Sequence, residues 1–196
     1  MKMLKIEKLL VNSQWSQRRV LALAKRLLDY VKTGNETDFL EVGCGNGEVA
    51  RYLARSYCGR VTGVDIDPEQ VAIARKKGDG IHNLRFLGAD STSIPFKDES
   101  FDVVLSFGVL HHIRNWLDAL REIKRVIRGG GYFIYADPIY PAAITRMDGS
   151  SGYSFGITTI NIDELDSFMA RGFTKIHSSL EKSFFLKNYE AVYRRD

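Results

Sequence analysis

Two places in this chain hold residue types that could do chemistry. The first is Glu41-Val42-Gly43-Cys44-Gly45-Asn46-Gly47, followed 18 residues beyond Gly47 by Asp65. Three glycines in five positions let the backbone turn sharply and approach a ligand closely. The N–H groups that open the following helix have no partner inside it and attract an anionic or polar group. A carboxylate at the tip of the next strand, Asp65, can accept hydrogen bonds from both hydroxyls of a ribose. Together they predict a site for a nucleoside cofactor. The second place is Phe107-Gly108-Val109-Leu110-His111-His112-Ile113. An unperturbed imidazole titrates at about pH 6.5 and suits proton removal from a nucleophile. His111 is therefore a candidate catalytic base. The plainer alternative is that the histidine pair caps a strand-to-helix turn and only packs.

Holding these residues at one place requires strands that end side by side. Apolar runs predict strands near 38–42, 60–65, 84–89, 101–107 and 131–137, alternating with helices near 46–57, 68–77 and 115–127. Such alternation is the pattern of a parallel sheet with helices on both faces. Before it, Val20, Leu21, Leu23, Ala24, Leu27, Leu28 and Val31 form a helical stripe over 16–32, with Gly34 and Asn35 ending it. Asp67-Pro68-Glu69-Gln70 reads as a helix start: a capping Asp, Pro in the first position and Gln reaching back from the third. The C-terminal third predicts a helix at 162–171 and two adjacent strands at 173–179 and 182–193. A parallel crossover needs a dozen or more residues, so the last strand must pair antiparallel. The expected fold is α/β: a Rossmann-like, doubly wound, seven-stranded sheet with one antiparallel strand near the C-terminus, as a single domain over 1–196.

Composition excludes several classes. The net charge of +4 is spread along the sequence without a basic run, whereas nucleic-acid binding leaves a concentrated basic footprint. Nucleic acid is disfavoured as a partner on that ground. Cys44 and Cys58 are the two cysteines, with no C-x-x-C and no metal-like pairing with His, so neither a metal site nor a disulfide framework is expected. No apolar run reaches the length of a membrane span, and the basic segment Met1 to Val11 lacks the apolar stretch of a signal peptide. A soluble, cytoplasmic protein with no membrane partner is the expectation.

The dinucleotide fingerprint is G-x-G-x-x-G. This chain has G-x-G-x-G, with Glu41 two residues before the first glycine. In that spacing the segment resembles motif I of the class I S-adenosylmethionine-dependent methyltransferases, of the small type 11-like kind. Further segments match in order, so the resemblance spans roughly Phe39 to Asp137. It implies S-adenosylmethionine as cofactor and S-adenosylhomocysteine as product. Residue by residue, it implies that Glu41, Gly43, Cys44 and Gly45 form the cofactor turn and that Asp65 clasps the ribose. It implies that Ile66 touches the adenine face and that Ala89, Asp90 and Ser91 read the adenine edge. It implies that strand four, ending at Ser106, passes the methionine end of the cofactor, with His111 near the methyl group. Bland readings stand beside these: Cys44 as a space-filler, Asp67 as a cap only, Asp90 as the start of a side-chain-stabilised turn. A bare carboxylate at the end of a strand has little structural purpose, which favours the binding reading of Asp65. Arg128-Gly129-Gly130-Gly131 keeps a turn where the family shows Pro-Gly-Gly. Asp137-Pro138-Ile139-Tyr140 looks like the D-P-P-Y motif of amino-methylating enzymes, but it follows strand five rather than four and lacks the second proline, so it is rejected.

A sulfonium methyl is already electrophilic, so the protein need only align the acceptor and exclude water. Acceptor choice is then expected in the N-terminal arm (within 1–35, chiefly Asn12 to Arg18 with Trp15) and in the irregular segment 138–160. That segment offers Tyr140, Arg146, Tyr153 and Phe155, and its glycines would permit closure. The expected function is methyl transfer to a small-molecule acceptor. RNA or protein methylation, a non-catalytic cofactor-binding module and an NAD-dependent reductase are the alternatives.

Overall fold

The alternating pattern builds one large sheet in this computed structural model, which describes residues 12–141, 153–154, 157–182 and 187–196. In chain order the elements are α1 (Gln14–Leu28), β1 (Phe39–Val42), α2 (Glu48–Ser56), β2 (Val61–Asp65), α3 (Pro68–Lys77), β3 (Leu84–Gly88) and β4 (Phe101–Phe107). A 3₁₀ turn at Leu110–His112 leads to α4 (Trp116–Val126) and β5 (Ile127–Ile139). Two short strands, β6 (Tyr153–Ser154) and β7 (Ile157–Thr158), precede α5 (Ile162–Met169), β8 (Phe173–Lys182) and β9 (Lys187–Arg195).

The seven-stranded sheet has the order β3-β2-β1-β4-β5-β9-β8. β3, β2, β1, β4 and β5 run parallel, and β9 is antiparallel to both β5 and β8. This is the predicted architecture, including the single reversed strand. β1 and β2 are buried along their whole length, as central parallel strands covered on both faces must be. α1, α2 and α3 cover one face through Leu27, Leu53 and Val71. α4 and α5 cover the other through Leu120, Ile123 and Leu165.

Three local expectations are corrected. β5 begins at Ile127, not near 131: Phe101 pairs with Ile127 but Val103 pairs with Tyr132, so the glycines of 129–131 form a bulge inside the strand rather than a turn before it. A Cβ on Gly131 would lie 2.6 Å from the Asp102 carbonyl oxygen, so the neighbouring backbone leaves no room there for a side chain. α1 stops at Leu28 and is capped by Asp29, four residues before the stripe ends, although Val31 is still buried. The segment expected to be irregular contains the end of β5 and the β6–β7 pair.

α3 starts as its sequence requires. Asp67 lies in extended backbone and its carboxylate accepts the Glu69 N–H at 3.0 Å, with Pro68 behind it. The expected return bond from Gln70 is absent. Its amide is buried, with neither polar atom hydrogen-bonded among the described residues. Asp67→Ala should lower stability by about 1 kcal/mol, read as a lower urea midpoint. An unchanged midpoint would mean that the cap contributes nothing.

Candidate functional site

Register brings the candidate residues to one edge of the sheet. Val42 at the end of β1 stands beside Val64 of β2 and Ser106 of β4, and Asp65 stands beside Gly88. From these adjacent ends the chain leaves into the glycine turn, into Ile66, into Ala89–Ser91 and into the segment that carries His111. The turn bends as its composition demands, with Gly43, Gly45 and Gly47 all at positive φ. Cys44 places its side chain in the apolar layer with Ala50 and Val61. Its thiol is pushed up by burial and nearby carboxylates, which fits the space-filling reading.

Asp65 does more than the sequence suggested. One carboxylate oxygen accepts the Gly45 N–H at 2.9 Å and the other accepts the Asp67 N–H at 2.8 Å. The expectation that it lacks structural purpose is therefore overturned: it ties the glycine turn to the loop after β2. Burial, and then the Asp67 charge, push its carboxyl upward, while the backbone N–H groups pull the other way. Glu41 holds the other side of the turn by accepting the Ala50 N–H at 2.9 Å in the first turn of α2.

Among the candidate residues beyond Asp65, Ile66, Ala89, Asp90 and Ser91 are less buried. Ile66 is 49% exposed beside Asp65, an apolar side chain available to cover a flat ring. The Ala89 N–H donates to the Asp65 carbonyl at 3.0 Å and locks the two strand ends together. Asp90 is exposed, and one of its oxygens accepts both the N–H and the hydroxyl of Thr92 at 2.8 Å. The turn reading of Asp90 is thus realised; this leaves its second oxygen for any binding role. Ser91 is half-buried next to it. The Ser106 hydroxyl is fully buried and has no hydrogen-bond partner among the described residues. An orphaned hydroxyl at the end of β4 fits a polar ligand group nearby.

Beyond Ser106 the two neighbouring strands cooperate. The Gly108 N–H donates to the Ala136 carbonyl at 2.8 Å, which holds the exit of β4 against β5. Asp137, 2% exposed, then faces the 3₁₀ turn. Its carboxylate accepts the Leu110 N–H at 3.1 Å and is hydrogen-bonded to Nδ1 of His111. His111 is itself buried, with the His112 ring at 3.9 Å and the Tyr140 ring at 5.4 Å. Sequence reasoning missed Asp137, having weighed it only as part of a motif that it rejected. The available signal was adjacency: strand five lies beside strand four, so its tip must flank the histidine segment.

The arm and the late loop are placed in part. Ser13 caps α1, so the expected arm is mostly the first turn of a helix. Asn46 of the glycine turn donates to the Asn12 side chain at 2.7 Å, which ties the residues before that helix to the glycine turn. Trp15 is 68% exposed, with the Arg19 guanidinium over its ring. Tyr140 joins the His111 cluster. Arg146 and Phe155 lie outside the described residues, as does the side chain of Tyr153. A hollow of about 310 Å³ between α5 and β8–β9, bordered by Asp166, Lys175 and Tyr193, contains none of the candidates. Among the described residues no three His, Cys, Asp or Glu side chains come together as metal ligands.

Comparison with known proteins matches residues 40–135 to a family described as a methyltransferase domain. A phthiotriol/phenolphthiotriol dimycocerosates methyltransferase of Mycobacterium ulcerans is 34% identical over 73% of this chain and 57% of its own length. A fatty-acid O-methyltransferase of Mycolicibacterium smegmatis is 39% identical over 50% of this chain and 36% of its own. The chain thus spans little more than half of one relative and about a third of the other. Among solved structures, an S-adenosylmethionine-dependent methyltransferase from Aquifex aeolicus superposes with a TM-score of 0.72 at 19% identity. That match covers 97% of this chain and 99% of the other.

Proposed function

Because the chain belongs to the class I S-adenosylmethionine-dependent methyltransferases, for which that cofactor is expected, we propose that it transfers a methyl group to a small, lipid-like acceptor. The observation that carries this reading is the arrangement around Asp65, a strand-end carboxylate fastened to a glycine turn with an exposed apolar residue beside it. The donor set fits the cofactor. Asp65 would hold the ribose hydroxyls, Ile66 the adenine face and Asp90 the adenine edge. Ser106 offers a hydroxyl in need of a partner. When bound, the cofactor supplies an electrophilic methyl group on a cationic sulfur. The protein's own part is to orient the acceptor, exclude water and take up any proton it must lose. The acceptors named for the two mycobacterial relatives support a lipid-like substrate.

A thermal-shift titration with S-adenosylmethionine, S-adenosylhomocysteine and NAD tests the cofactor. Ligand at about 100 times its Kd adds about 2.7 kcal/mol, or roughly 5–10 °C in a domain of this size. Stabilisation by NAD alone would overturn the proposal. Incubation with labelled S-adenosylmethionine and a lipid extract then tests the acceptor. Asp65→Asn should weaken S-adenosylmethionine binding by about 10- to 100-fold, the scale of hydrogen bonds to a charged group. Calorimetry showing the same Kd would remove Asp65 from the site.

A further inference from the structure

The buried pair His111–Asp137 specifies what kind of acceptor the site is built for. We infer that Asp137 is a positioning residue that holds His111 with its proton on Nδ1, leaving Nε2 as the base for an acceptor hydroxyl; this rests on the methyl-transfer reading above.

Burying a carboxylate is costly unless hydrogen bonds satisfy it. Asp137 has the Leu110 N–H on one oxygen and His111 on the other. An ionised carboxylate only accepts hydrogen bonds, so the imidazole nitrogen facing it carries the proton. Nε2 then keeps its lone pair. The surroundings hold this arrangement still. His112 packs on one side of the ring and Tyr140 approaches it from beyond β5. Tyr135, buried two residues before Asp137, has its phenol pushed up by burial and by the Asp137 charge, so it stays neutral. A histidine kept only for packing would not need a carboxylate buried behind it, since an apolar side chain fills space more cheaply.

The pairing also separates acceptor classes. A carboxylate or a neutral amine can attack a methyl group with the lone pair it already has. An alcohol must lose its proton as it attacks. In that step the hydroxyl proton would pass to Nε2 and the O–H electron pair would stay on oxygen, which would bond to the methyl carbon as the methyl–sulfur bond breaks and its electron pair returns to sulfur, leaving S-adenosylhomocysteine as a neutral thioether. Asp137 stabilises the resulting imidazolium until its proton is released to water. This is the division of labour between base and orienting carboxylate seen in hydrolytic triads.

The test has a spectroscopic arm and a catalytic arm. In ¹⁵N spectra of the imidazoles of the whole protein, His111 should carry its proton on Nδ1. In Asp137→Asn, the amide can still accept the Leu110 N–H while its NH₂ donates to Nδ1, so the proton should move to Nε2. A His111 found with its proton on Nε2 in the native protein would overturn the role of Asp137, whether or not the variant folds. Labelled S-adenosylmethionine is then supplied with dodecanol, dodecanoic acid or dodecylamine. Transfer to the alcohol is expected, with kcat falling at least about 100-fold in Asp137→Asn while the KM for dodecanol and the Kd for S-adenosylmethionine hold. Transfer confined to the acid or amine, or to none of the three although the cofactor binds, would overturn the hydroxyl assignment. Failure of the native protein to bind S-adenosylmethionine would instead overturn the proposed function.

Discussion

Replacing Gly47 by alanine should cost the protein about 2–5 kcal/mol, because two penalties meet at that residue. Gly47 caps α2 at φ +78, where a Cβ adds about 1–2 kcal/mol of strain. The new methyl would also fall 2.5 Å from Cζ and 2.7 Å from Cε1 of Phe86, with the Ala74 Cβ at 3.1 Å. Phe86, the middle residue of β3, is buried in the core and can yield only by disturbing it, an overpacking cost of about 1–3 kcal/mol. Gly80 separates the two effects. It has the same φ, +78, but nothing within 4 Å of its added Cβ, so Gly80→Ala should show the strain alone. Urea unfolding of both variants measures the difference. Equal losses would mean that Phe86 moves freely and that the crowding costs nothing.

Glu41→Gln should remove most of the decline in stability that the native protein shows as pH rises above 4.5. Burial, reinforced by the Asp65 and Glu48 carboxylates and opposed by the Ala50 N–H, pushes the Glu41 carboxyl from 4.5 up to about 8. Below 4.5 it is protonated in both the folded and the unfolded chain. Between 4.5 and 8 the unfolded chain gives up the proton and the folded one keeps it, so folding binds a proton. Stability then falls by about 1.4 kcal/mol per pH unit and loses nothing further above 8. Glutamine keeps an acceptor for the Ala50 N–H and cannot ionise. Urea midpoints of the two proteins should therefore lie together near pH 4.5 and separate by several kcal/mol at pH 8, with the variant the more stable. Parallel curves across that range would show that Glu41 titrates as an ordinary carboxyl.

What could be read from the residues depended on whether the cause was local. α3 was predicted at the bounds it has because Asp67 and Pro68 start a helix by their own geometry. β4 was equally clear as an apolar run, Phe101 to Phe107. The end of α1 was misjudged because apolar spacing reports burial, not helicity, and Val31 is buried after the helix has stopped. The start of β5 was hidden by Gly129, Gly130 and Gly131, which look like a turn until β4 is there to pair with them. At the candidate site, spacing alone singled out Asp65 and the glycines, and the fold brings them together. The two hydrogen bonds of Asp65 were not legible, since its N–H partners come from two loops that meet only in the fold. Asp137 is 26 residues from His111, and no local pattern joins them.

The interior place of β9 has a consequence for how the chain comes together. β5 is 13 residues long, and eight of them, Tyr132 to Ile139, have partners in Lys187 to Arg194. While the chain is being synthesised, that side of β5 presents an uncovered row of backbone donors and acceptors until β9 has been made. Such an edge can recruit strands from other chains. β8 is finished before β9 yet must stand outside it, so it cannot dock early as a substitute without giving up its native neighbour. Arrest of synthesis after β8 should therefore leave a nascent protein that already has its glycine turn and Asp65 but sticks to its own kind, with β9 as the strand that makes the sheet self-contained.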